Sequence, residues 1–374
     1  MSRQWQQFSS QLTTPRDALV RHAEACRIMG SPLYGTFLER CAEGRDDKTV
    51  LRLLGARPSN EDLIHGGSVL KLLAAVHELA LRGDAPSLAM HYPSCGGDDD
   101  VEAAWRAFVR TVQGTTTEIG LAMDRPLQTN EIGRAAPLLG GFLWVVERFG
   151  LPLRIMEVGA SAGLLLRWDR FRYEAPEWTW GPRDASVRID RHFSATPPPF
   201  SPDVLVRIIE RVGCDVAPID PTTTEGTLKL RSFVWPDQRE RLNNLRAACE
   251  IASAVPASVE RASAPSWLQG RLQSPVGGAA TVVYHTVMRQ YLKPEARAAL
   301  YDTLLAAAGR ATHDAPLAYL TLEPENREAN VLLHVWPGDM EIEIASASLH
   351  GLDVHWRTHA PYRKNRGTAA EQRC

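Results

Sequence analysis

A chain of 374 residues with 44% hydrophobic and 23% charged residues has the apolar content for two domains or one elaborated domain. Its 42 basic and 44 acidic residues leave a formal net charge of −2, a balance that gives no electrostatic footprint for nucleic acid and argues against such a partner. The six cysteines (Cys26, Cys41, Cys95, Cys214, Cys249 and Cys374) form no C-x-x-C pair and no zinc-spaced Cys/His cluster, which excludes a metal module and fits a reducing, cytoplasmic setting.

The opening MSRQWQQFSS has no apolar core behind a basic end, so it does not read as a signal peptide. Apolar runs such as LLGGFLWVV fall far short of the roughly 20 residues of a membrane helix, so no membrane association is expected. Residues 1–150 read as a helical domain. SPLYGTFLERCAE and SVLKLLAAVHELALRG carry apolar residues at three- and four-residue steps, each opening on a Ser suited to capping. VEAAWRAFVRTVQ repeats the pattern behind Asp98–Asp100, which caps it, and NEIGRAAPLLGGFLWVVERFG stops at Gly150 with Pro152 beyond.

Residues 151–374 read as an α/β domain. LPLRIMEVGA is a strand followed by the helix-like GLLLRWDRFRYE; SVRID, ATVVYHTV and LAYLTLE then alternate with RERLNNLRAACEIA and EARAALYDTLLAAAG. Strands alternating with helices predict a mostly parallel sheet. MEIEIASAS and LDVHWRT around LHG predict an antiparallel hairpin at the C-terminal end, and the Pro-rich TPPPFSP an irregular insertion.

The stretch EVGASAG, Glu157–Gly163, lies where open α/β sheets bind ligands, beyond a strand's carboxyl end. G-x-S-x-G is also the pattern of a hydrolase nucleophile elbow, with Ser161 as nucleophile, Glu323 with His334, His350 or His355 as partners, and HGG at His65–Gly67 as an oxyanion loop. That HGG has no strand before it. Ser161 and Leu164 stand at the second and third glycine positions of the dinucleotide fingerprint, which argues against NAD or FAD. A loop for S-adenosylmethionine fits more parts: Glu157 offsets a cationic ligand, Gly159 permits the turn, and Ser161 and Gly163 are small.

SPLYGTFLE, YPS, QTNEIGRAAPLL, EVGASAGLLLRWDRFRYE, RVGCDVAPID and VWPDQRERLNNLRAA together resemble, in this order, an uncharacterised bacterial family of about this length. The resemblance covers nearly the whole chain. It implies a Rossmann-like class I methyltransferase fold, mostly parallel with an antiparallel C-terminal hairpin, behind an N-terminal helical domain. It implies S-adenosylmethionine as cofactor, an unidentified small molecule or protein as methyl acceptor, and Glu157, Gly159, Ala160, Ser161 and Gly163 as the cofactor loop. On that resemblance, the acid expected to bind the ribose hydroxyls is Asp190, ending SVRID, with Asp215 in GCDVAP as the competitor. Asn130 and Glu131 of QTNE, with Arg134, are expected over the loop, unless Thr129 or Asn130 simply caps the next helix. Two departures bear on catalysis. Ala262 stands where such proteins carry an acid for the adenine amino group, and YHTVMRQYL lacks the N-P-P-Y motif.

His285 is the candidate general base, flanked by Tyr284 and Tyr291. In VWPDQ, Trp235 is a candidate cover for the site, and Asp237 is expected in the first turn of the helix behind Pro236. The reading is a methyltransferase-like protein that binds S-adenosylmethionine. A non-catalytic binding or regulatory protein on the same fold is the alternative, and a serine hydrolase using Ser161 the third.

Overall fold

The computed structural model describes residues 14–57, 63, 67–194, 198, 200–201, 203–325 and 328–357, and the backbone of 363–364. The chain divides into two compact units, one comprising Glu131–Asp220 with Ala247–Cys374, the other Ser2–Asn130 with Pro221–Arg246.

The first unit is built on a sheet. Its strands are β1 (Leu153–Val158), β2 (Arg172–Glu174), β3 (Thr179–Trp180), β4 (Arg188–Ile189), β5 (Ile208–Asp215), β6 (Ser258–Arg261), β7 (Ala280–Thr286), β8 (Leu317–Glu325), β9 (Glu328–Trp336), β10 (Met340–Ala347), β11 (His355–Trp356) and β12 (Arg363–Lys364). The large sheet runs β11-β10-β9-β8-β7-β1-β5-β6, with β12 beside β10. From β6 to β8 every pairing is parallel, and from β8 to β11 every pairing is antiparallel. The protein is thus α/β with a large, mostly parallel sheet, and β10 and β11 form the antiparallel pairing expected at the C-terminal end. Central parallel strands are covered on both faces and read as unbroken apolar runs, which is why LRIMEV and ATVVYHT are recognisable.

Strand order reverses around β1: the chain moves from β1 out to β5 and β6 on one side, then to β7 and β8 on the other. The carboxyl ends of β1 and β7 therefore flank a topological switch point, where two crossovers leave in opposite directions, the place where open α/β sheets commonly bind ligands.

Two local elements differ from the sequence reading. Past the glycine turn, Leu164–Arg170 is a 3-10 helix with Arg167 off helical geometry, and RYE of the expected helix is β2. The cause is burial. Leu164, Leu165, Leu166 and Trp168 are all buried, a pattern too dense for an amphipathic helix, and Trp168 stacks on Phe142 with centroids 4.3 Å apart. Arg211 of β5 pins this piece from below: its Nη1 donates to Leu166 O at 2.6 Å and to Asp169 Oδ1 at 2.5 Å, and its Nη2 to Asp169 Oδ2 at 2.7 Å. SVRID, meanwhile, provides β4, which pairs with β2 in a separate three-stranded sheet.

The second unit holds α1 (Pro15–Ile28), α2 (Pro32–Glu43), α3 (Thr49–Gly55), α4 (Gly67–Arg82), α5 (Pro86–Ala89), α6 (Val101–Gly114), α7 (Thr116–Met123) and α9 (Thr224–Ser232); α8 (Ala135–Phe149) belongs to the sheet unit. The division at Arg246 falls within α10 (Arg239–Ala254), which precedes α11 (Ala264–Arg271) and α12 (Pro294–Ala308). As expected, Asp100 caps α6, its Oδ1 accepting from the amides of Glu102 and Ala103 at 3.0 Å. Helix α8 packs on β7, β8, β9 and β10, and ends at Gly150 in the left-handed conformation.

VWPDQ serves the helical unit. Trp235 is buried in its core, in the same apolar cluster as Tyr34, Phe37 and Trp105. Asp237 is not in the first turn of α10; it caps α2 instead, its Oδ1 accepting from Ser31 Oγ at 2.7 Å and its Oδ2 from Leu33 N at 3.1 Å. Gln238 Nε2 donates to Met29 O at 2.6 Å. The carboxylate is stabilising there because it faces the orphan amides and positive end of α2. Asp237→Ala strands both donors in a half-buried site and is expected to lower stability by about 1–3 kcal/mol. A shift in urea midpoint without a change in slope is the check.

Candidate functional site

The turn after β1 is set by its small residues. Gly159, Ser161 and Gly163 have φ of +69°, +51° and +64°. Glycine adopts this region freely and serine only at a cost, so the turn needs external ties. Ala160 N donates to Cys214 O at 2.9 Å, Ser161 N to Asp215 Oδ2 at 2.9 Å, and Ile219 N to Ser161 O at 3.2 Å. Arg167, itself buried, closes the far side by donating from Nη1 to Gly163 O at 2.7 Å and from Nε to Val255 O at 3.0 Å.

Glu157 is the chemically unusual member. It is 4% exposed, and its Oε2 accepts from Tyr284 Oη at 3.3 Å. Among the described residues no cationic side chain lies within salt-bridge distance of it. Burial dominates and pushes its carboxyl up to about 8, with Asp215 raising it further and Tyr284, Arg167 and Arg134 drawing it back. A cation beside Glu157 would hold it ionised.

Asp215 ends β5, the strand beside β1, and ties the two strand ends together: besides Ser161 N, it takes Ala217 N on Oδ1 at 2.8 Å. Asp190, by contrast, follows β4 of the small sheet and is exposed. The two candidate acids are therefore distinguished by strand, and of the two only Asp215 ends a strand of the large sheet, next to β1. Ala262 follows β6 directly, its amide on Asp215 O at 3.0 Å.

Of QTNE, Glu131 rather than Thr129 or Asn130 makes the cap: its Oε1 accepts from Gly133 N at 3.1 Å at the start of the 3-10 turn Ile132–Arg134. Arg134 is buried; its Nε donates to Leu349 O at 3.0 Å and its Nη1 lies 3.4 Å from Thr286 Oγ1 at the end of β7. Glu131 and Arg134 thus fall in the sheet unit, while Asn130 is the last residue of the helical segment Ser2–Asn130.

Side chains alternate along a strand, so neighbours Tyr284 and His285 face opposite sides of the sheet. Tyr284 shares the face of Glu157, its partner in register, and lies edge-on to Phe142 of α8 at 5.2 Å. His285 faces the side covered by α11 and α12. There its Nδ1 bonds Glu323 Oε1 at 2.7 Å and its Nε2 bonds Tyr319 Oη at 2.6 Å, so both ring nitrogens are engaged. Burial raises the Glu323 carboxyl, but the charge and hydrogen bond of His285 and the amides of Met288 and Arg289 outweigh it and hold the group below its ordinary value. Glu323 was invisible as the partner of His285 in sequence; the signal is the register, which sets His285 beside Thr321, two residues away on the same face.

The other histidines named above are dispersed. His334 Nε2 bonds Asp339 Oδ1 at 2.7 Å, and His355 is exposed on β11. His65 and Gly66 lie outside the described residues. Trp235 is a core residue of the helical unit, and Tyr291 is 45% exposed. Among the described residues there is no cluster of metal-ligating side chains, and no helix is long and apolar enough to cross a membrane.

No curated protein and no solved structure matches the chain. One family model does, described as an uncharacterized protein conserved in bacteria (DUF2332), and it spans residues 16–356. With nearly its whole length matched, the chain belongs to the DUF2332 family of bacterial proteins.

Proposed function

We propose that the protein binds S-adenosylmethionine at the carboxyl ends of β1 and β5, on a Rossmann-like methyltransferase fold, and passes its methyl group to a small molecule or protein. The observation that carries this reading is Glu157: a buried acid, with no salt bridge among the described residues, at the switch point beside β7, leading into a left-handed glycine turn. A buried carboxyl raised to about 8 calls for a cation, and an ammonium or sulfonium supplies one. The cofactor fits the acids present: Glu157 for its positive charge, and Asp215, rather than Asp190, for a vicinal diol.

When bound, S-adenosylmethionine supplies an electrophilic methyl group for in-line displacement. The chain's own contribution is positioning. Asp215 fixes the turn through Ser161 N, Arg167 and Arg134 set the field around Glu157, and Tyr284 orients its carboxyl. Much of a transfer rate can come from such preorganisation. A second reading, binding without transfer, draws support from Ala262 at the end of β6, where an acid for the adenine is missing.

The test is a thermal-shift titration of the full chain with S-adenosylmethionine and S-adenosylhomocysteine. At about 100 times the dissociation constant, ligand adds roughly 2.7 kcal/mol and raises the melting temperature. No shift with either ligand at millimolar concentration contradicts the proposal. A shift with both, without methyl transfer to any acceptor tried, favours the binding-only reading.

A further inference from the structure

The loop leaving β7 adopts a conformation that its residue type resists. Val287 has φ of +48°, a left-handed geometry that a β-branched side chain takes only where its surroundings impose it. The surroundings do impose it. Val287 N donates to Leu322 O at 2.8 Å, and Glu323 Oε1 accepts from Met288 N at 2.9 Å and from Arg289 N at 3.1 Å while also bonding His285 Nδ1 at 2.7 Å. One buried carboxylate oxygen, backed by the His285–Tyr319 contact, thus latches the start of the loop.

The consequence is where Met288 goes. A Cβ built on Gly159 would stand 2.6 Å from Met288 Cγ and 3.4 Å from Met288 Cβ. The Met288 side chain therefore lies on the bare backbone of Gly159 and rests on the core under α11 and α12; on the cofactor reading, this is the surface a ligand crossing the turn would use. An unbranched thioether is suited to this because it repacks easily.

We infer that Met288 is a displaceable cover on the Glu157–Gly163 turn, held in place by the Glu323 latch, so that ligand entry is coupled to movement of residues 287–289. This rests on the cofactor-site reading above. The cover competes with the ligand, and its removal strengthens binding; a side chain that merely packed would weaken binding or leave it unchanged when removed.

The experiment compares wild-type chain with Met288→Ala and Met288→Leu. Calorimetric titration with S-adenosylhomocysteine is paired with hydrogen exchange, read by mass spectrometry without ligand, on a peptide spanning residues 158–164. Met288→Ala is expected to bind about tenfold tighter, with Met288→Leu within twofold of wild type. The peptide should exchange several-fold faster in Met288→Ala alone, with the β8 and β9 amides unchanged. Binding no tighter and exchange no faster in Met288→Ala overturns the cover. If none of the three binds the ligand, the cofactor reading fails by itself, and the exchange result alone then upholds or overturns the cover.

Discussion

At pH 9 the Glu157→Gln variant is expected to melt several degrees above wild-type protein, and to bind S-adenosylhomocysteine at least tenfold more weakly. The stability gain follows from linkage. The folded chain holds the Glu157 carboxyl at about 8 against an ordinary value of 4.5. A group raised on folding contributes its full stability below the unfolded value and loses it as pH climbs through the folded one. Between pH 4.5 and 8, wild-type protein therefore gives up on the order of 5 kcal/mol from this residue, at about 1.36 kcal/mol per unit. Glutamine keeps the shape and removes the titration. Its amide has fewer suitable partners than the acid, which costs about 1–3 kcal/mol, leaving a net gain of about 2–4 kcal/mol at pH 9. Near pH 4 the titration gain is absent, and the variant is expected to be about 1–3 kcal/mol less stable than wild type. Denaturant melts at pH 4, 7 and 9 check the sign: a variant less stable than wild type at pH 9 contradicts a Glu157 carboxyl raised by burial.

Asp169→Ala is expected to lower stability by about 3–5 kcal/mol, the loss characteristic of breaking a buried ion pair from one side. Arg211 and Asp169 are bonded through two nitrogen–oxygen contacts of 2.5 and 2.7 Å, with both side chains only 10% exposed. Removing the carboxylate leaves a guanidinium buried beneath the 3-10 piece, with Leu166 O as its remaining bonded partner among these contacts. Asp169→Asn keeps one acceptor and should lose less. Because the pair anchors the segment that follows the glycine turn, ligand affinity should fall as well, in proportion to the loosened turn. Equal urea midpoints for Asp169→Ala and wild type would show that Arg211 finds water instead.

Much of this architecture is legible in the chain itself, and the gaps have physical causes. The central strands declare themselves because burial on both faces demands unbroken apolar runs, as in LRIMEV and ATVVYHT. The Glu157 turn declares itself because an acid at a strand end followed by alternating small residues has few structural uses. What local pattern cannot carry is the partner of a strand or a cap. SVRID has the same texture whether it joins the large sheet or, as β4, the small one, so texture alone does not separate Asp190 from Asp215. Asp237 looks like a first-turn residue of its own helix, yet its partners are Ser31 and Leu33, about 200 positions earlier. GLLLRWDR has helical propensity, but its leucines are buried on every side, and packing against Phe142 and Arg211 overrides the preference.

The central claim is that Glu157 receives a cation. Calorimetric titration of wild-type protein with S-adenosylhomocysteine between pH 6 and 7.5 tests it most directly. The ammonium requires Glu157 ionised, so binding must expel the proton that the free protein holds below about pH 8. Affinity should then rise about tenfold per pH unit across this range. Measurable binding whose affinity does not change with pH, or no binding at any pH, would contradict the account.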